Sequence, residues 1–95
     1  MKDIKVIATA LTIVGNGEPL LRLQKRLTCA AKGLPIKLNL EIRKDYEAFA
    51  IAYEQTPAVF MDGVMVFSGL PRTEEIEDWL KRLVNTNLAY HTRSI

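Results

Sequence analysis

Sulfur and imidazole are scarce in this chain of 95 residues, which has one cysteine, Cys29, and one histidine, His91. A single thiol forms no internal disulfide, and one Cys with one His is too few for a zinc cluster. Long apolar runs are also missing: the longest stretch, Val6–Val14, is interrupted by Thr9 and Thr12 and is far too short to span a bilayer. The N-terminal segment mixes Lys2, Asp3 and Lys5 into its apolar residues, unlike the continuous apolar core of a secretory signal. Charge of one sign is lacking as well. The net charge is +2, whereas nucleic-acid binding normally shows as a concentrated basic stripe. These absences lead us to expect a cytoplasmic protein that contacts neither membrane nor nucleic acid and holds neither metal nor cofactor. A lone thiol suits a reducing compartment.

What is present suits one ordinary globular core, with 48% hydrophobic and 25% charged residues. Ile4–Val14 is rich in Val, Ile and Thr and apolar at nearly every position, the pattern of a central strand covered on both faces. The turn cluster Gly15-Asn16-Gly17 ends it. A helix is expected from Glu18 to Lys32: Pro19 suits its first turn, and Leu20, Leu23, Leu27, Ala30, Ala31 and Leu34 form its apolar side. Gly33 and Pro35 stop it. Lys37–Ile42 alternates as a strand near a sheet edge. A second helix is expected from Asp45, as N-cap, to about Glu54, with Tyr46, Phe49, Ala50 and Tyr53 at helical spacing. Asp62-Gly63 between two β-forming runs marks a tight hairpin. The last helix starts at Thr73, and Ile76, Trp79, Leu80, Leu83 and Val84 form its stripe. Residues 86–95 show no periodicity and are expected to be a flexible tail, which leaves residues 1–85 as the domain.

The order β-α-β-α-β-β-α, with Thr56-Pro57-Ala58-Val59 ahead of the hairpin, Gly69 after it and a closing helix at Glu74–Val84, resembles the thioredoxin-like superfamily. The resemblance implies an α/β fold with a four-stranded mixed sheet and helices on both faces, and a cis peptide bond before Pro57. The chain departs from the family where redox-active members carry Cys-x-x-Cys, at the start of the first helix. That place holds Asn16-Gly17-Glu18-Pro19 or a register one residue away, and neither supplies sulfur. Dithiol exchange needs an attacking thiolate and a resolving thiol. The expected protein is therefore a redox-inactive binding or regulatory module and not an oxidoreductase. The segment Ile13-Val14-Gly15-Asn16 also looks similar to thioredoxin-like domains of bacterial clock proteins, though the Asp-Gly hairpin fits ordinary thioredoxin topology better.

The candidate site is a groove for a protein or peptide partner formed by Gly15, Asn16, Gly17, Glu18, Pro19, Thr56, Pro57 and Gly69, extending toward Arg72. The resemblance implies that the backbone before Pro57 pairs with an extended peptide. Gly15-Asn16-Gly17 lacks the third glycine and downstream acid of a dinucleotide fingerprint. Arg22, Lys25 and Arg26 read as a solvated helix face, and Trp79 as core. The alternative function is a single-thiol, glutaredoxin-like redox protein using Cys29. Val64–Phe67 is expected at a sheet edge, where a homodimer is the alternative to burial.

Overall fold

The computed structural model describes residues 6–93, with side chains described for residues 6–86. The elements are β1 (Ile7–Val14), α1 (Gly17–Ala31), β2 (Ile36–Arg43), two short 3-10 turns (Tyr46–Phe49 and Tyr53–Gln55), β3 (Ala58–Met61), β4 (Val64–Ser68) and α2 (Thr73–Arg93). The sheet order is β2-β1-β3-β4. β1 runs parallel to β2 and antiparallel to β3, and β3 pairs antiparallel with β4. This is the four-stranded mixed sheet of a thioredoxin-like α/β fold. Asp62 and Gly63 turn the β3–β4 hairpin with φ of 53° and 79°, the two positive values that a tight hairpin turn requires. Among the described residues, no helix is long and apolar enough to cross a membrane.

Both helices lie on one face of the sheet. Leu20, Leu23, Leu27 and Ala30 of α1 interdigitate with Ile76, Leu80 and Val84 of α2 over Leu11, Ile13 and Val59. This cluster excludes water because each helix brings an apolar stripe at its natural repeat. Trp79 is half-buried against it and meets the Phe67 ring edge-on at 5.4 Å. Arg26, expected on a solvated face, instead donates from its guanidinium to the Pro71 carbonyl at 3.0 Å and ties α1 to the loop entering α2.

Three further expectations are corrected. The helix expected from Asp45 to Glu54 is two 3-10 turns, separated by Ala50 in the left-handed region at φ 58°. Asp45 does not cap a helix, because its carboxylate accepts both arms of the Arg43 guanidinium, at 3.0 and 2.5 Å. Phe49 is drawn onto Phe60, ring centroids 5.0 Å apart, with Arg43 stacked over it at 5.4 Å. The aromatic spacing thus serves a short cover, not a helical stripe.

The second correction concerns β1. It is buried on the helix side, but on the opposite face only Val14 is covered, together with Ala58 and Phe60, by Tyr46, Phe49 and Ile51. Ala8 and Ala10 are exposed because the two 3-10 turns do not reach them. The third concerns the C-terminus: the backbone of α2 stays helical through Arg93, well past the end of its apolar stripe at Val84. The expected tail is therefore helical over residues 86–93, and residues 94 and 95 lie outside the described residues.

Candidate functional site

The site is built where the C-terminal end of β1 meets the start of β3. β1 delivers Gly15 directly against Pro57: a Cβ on Gly15 would stand 3.2 Å from the Pro57 Cα and Cβ atoms. Contacts that short are tighter than ordinary van der Waals packing, so a side chain at Gly15 would displace the proline. Gly15 is further fixed by its N–H, which donates to the Arg43 carbonyl at 2.9 Å. Pro57 is buried and follows a cis peptide bond from Thr56. Its carbonyl accepts from the Gly69 N–H at 2.7 Å, which fastens the loop to the end of β4.

These anchors leave a groove of about 410 Å³ between the start of α1 and the second 3-10 turn, lined by Asn16, Gly17, Pro19, Tyr53, Glu54, Thr56 and Pro57. Five residues of the expected site therefore share one hollow: Asn16, Gly17, Pro19, Thr56 and Pro57. Gly15 and Gly69 support Pro57 without lining it. Glu18 borders a separate hollow with Leu21, Arg22 and Lys25. The stretch toward Arg72 diverges as well, since Leu70 and Pro71 line another hollow with Phe67 and Glu75.

Tyr53 and Glu54 are groove residues that sequence reasoning placed on a helix. Their register becomes visible only once Ala50 breaks the helical path. A signal did exist, since Gln55-Thr56-Pro57 follows directly and a residue before proline is steered away from helix. The second turn is closed locally: the Gln55 amide oxygen accepts from the Ala52 N–H at 2.8 Å, and the Gln55 carbonyl accepts from the Ser68 hydroxyl at 2.9 Å.

The chemistry that the groove offers follows from these contacts. Asn16 is extended (φ −158°, ψ 171°) and its side chain makes no capping bond, so the first N–H groups of α1 face outward without that cap. The Thr56 N–H is already used, donating to the Tyr53 carbonyl at 3.0 Å, and the Thr56 hydroxyl donates to the same oxygen at 2.6 Å. Main-chain pairing by Thr56 thus rests on its carbonyl alone, half of the donor–acceptor pair that an extended peptide would use. Pro19 and Pro57 supply apolar rings, Tyr53 an exposed ring and hydroxyl, and Glu54 a carboxylate.

Cys29 is exposed on α1 but absent from the groove lining. It stands twelve residues beyond Gly17, about 18 Å along a helix rising 1.5 Å per residue. No group of three or more acidic, His or Cys side chains that could hold a metal occurs among the described residues.

Among the described residues, Arg43 and Asp45 form an ion pair whose ionisation is shifted on both sides. The Arg43 hydrogen bond holds the Asp45 carboxyl below its ordinary value, and the same hydrogen bond raises the guanidinium. Both groups are exposed to water, so this pair orients the first 3-10 turn and does not act as an acid or base.

A family model described as a thioredoxin domain matches residues 13–81, the span that contains every groove residue. Neither a curated protein nor a solved structure gives a significant match to the chain.

Proposed function

The chain belongs to the thioredoxin domain family, and from that premise we propose that it serves as a binding or regulatory module that recognises a protein or peptide segment at the Asn16–Pro57 groove without redox turnover. The observation that carries this reading is the composition of the groove. The start of α1 and the Thr56-Pro57 loop are brought together, yet the lining holds no sulfur. Thiol–disulfide exchange proceeds by attack of a thiolate on a disulfide sulfur, so a lining without thiols has no route into that cycle. The proline and tyrosine rings flanked by Asn16, Thr56 and Glu54 offer an apolar seat with a few orienting polar groups, the usual make-up of a recognition pocket.

The test is selection of a displayed random heptapeptide library on the immobilised protein. A selected peptide should lose affinity several-fold on Asn16→Ala and on Tyr53→Ala, and should be indifferent to Lys44→Ala. Recovery of no specific peptide, or of peptides blind to the groove variants, overturns the reading.

Cys29 supports a second reading, that of a single-thiol redox protein, because its side chain is exposed to reagents. Its position near the far end of α1 separates it from the Pro57 loop, so such a protein would work through a surface unrelated to the groove.

A further inference from the structure

β1 is longer than the strand that pairs with it on the β3 side. It pairs with β2 along all of Ile7–Val14, but with β3 only at Thr12↔Phe60, Ile13↔Val59 and Val14↔Ala58. β3 stops at Met61, where the Asp62-Gly63 turn carries the chain away. The direction of the unpaired groups follows from two hydrogen bonds: the Ile7 N–H donates to the Pro35 carbonyl and the Gly15 N–H to the Arg43 carbonyl, both at 2.9 Å. Backbone groups alternate in direction along a strand, so the odd-numbered residues of β1 bond to β2 and the even-numbered residues face the β3 side. Thr12 and Val14 find β3 there. Ala8 and Ala10 find no strand among the described residues, and both are exposed.

A hollow of about 280 Å³ lies beside this gap, bordered by Ile7, Ala8, Ala10, Met61, Asp62 and Leu83. It sits at the opposite end of β1 from the groove.

We propose that the Ile7–Ala10 edge of β1 accepts an extended peptide strand from a partner protein, in line with β3 and hydrogen-bonded to Ala8 and Ala10. Two donors and two acceptors spaced two residues apart match the repeat of an extended backbone and of no small molecule. Side chains of the incoming strand alternate. One set enters the hollow against Ile7, Met61 and Leu83 and must be aliphatic, and the other passes over the two alanines. Asp62, exposed at the hairpin tip, favours a basic residue at the end of the strand nearest the turn. A second copy of β1 running parallel to the first is excluded on geometry, because its own continuation would collide with β3 at Thr12↔Phe60.

The probe is the peptide acetyl-Lys-Val-Thr-Val-Thr-Lys-amide, and the readout is residue-resolved amide hydrogen exchange. In the free protein, the Ala8 and Ala10 amides exchange rapidly while Thr9 and Leu11, bonded to β2, are protected. Peptide at saturating concentration slows Ala8 and Ala10 about tenfold or more. The same peptide N-methylated on its internal amides has no effect. Protection of Ala8 and Ala10 before peptide is added overturns the proposal. So does unchanged exchange with peptide, an equal effect of the methylated peptide, or a response centred on Asn16 and Tyr53. Ala10→Pro removes one facing donor without touching a bond to β2 and should abolish the response; if that variant does not fold, the methylated peptide decides. Asp62→Asn should weaken binding several-fold at low salt, and unchanged affinity refutes the basic end assigned to the partner.

Discussion

Leu21 and Leu23 lie two positions apart on α1 and share one chemistry, but the fold treats them oppositely. Leu23 is fully buried between α1 and α2, whereas Leu21 is 63% exposed. Truncating a buried leucine removes its transfer free energy and leaves a cavity that the surroundings fill only in part, at a cost of about 2.7–5 kcal/mol. A domain of this length has a total stability of roughly 5–14 kcal/mol, so Leu23→Ala should remove about a fifth of it or more. Leu21→Ala loses few contacts and should stay within about 0.5 kcal/mol of the parent. Urea unfolding followed by circular dichroism reads both. We expect the Leu23→Ala midpoint to fall by roughly 1–5 M and the Leu21→Ala midpoint to remain close to the parent. Equal effects of the two variants, or a Leu23→Ala cost below about 1 kcal/mol, would refute the placement of α1 against α2 and with it the orientation of the groove.

Gly63→Ala should destabilise the protein by about 1–2 kcal/mol, since Gly63 holds φ at 79° and a Cβ is disfavoured there for conformational reasons alone, with open space around it; a neutral result in the same unfolding assay would contradict the hairpin geometry. For Asp45, the Arg43 hydrogen bond lowers the folded pKa, so its contribution is present above the unfolded carboxyl value and disappears as pH falls through the lower folded value. Carboxyl chemical shifts should show Asp45 titrating at lower pH in the parent than in Arg43→Met, and coincident curves would show that the fork does not form in solution.

The sheet was legible because its strands carry local signals of distinct kinds. Asp62-Gly63 reveals the hairpin by backbone chemistry alone, and alternation in β2 reveals a solvated edge. Leu20, Leu23 and Leu27 gave α1 within a residue at each end. The groove was partly legible for the same reason, since Gly15 and Pro57 are punctuation that the fold brings together. Between Asp45 and Gln55 the sequence misled. Tyr46, Phe49 and Tyr53 have helical spacing, but Asp45 is taken by Arg43 two residues before it, and Phe49 is taken by Phe60 of β3, a contact outside the segment's own window. That segment carries Tyr53 and Glu54 into the groove, which is why those two residues were missed. The open edge at Ala8 and Ala10 was hidden for a different reason: apolar residues in a strand read as buried whether or not a neighbour extends far enough to cover them. The continuation of α2 to Arg93 lacked any apolar stripe to announce it.

The most direct measurement of the account is turnover of insulin disulfides with dithiothreitol as reductant. A recognition module with no sulfur at the start of α1 should give the rate of dithiothreitol alone, unchanged by Cys29→Ser. Acceleration by the parent protein that Cys29→Ser abolishes would place the chemistry at the far end of α1 and contradict the central claim.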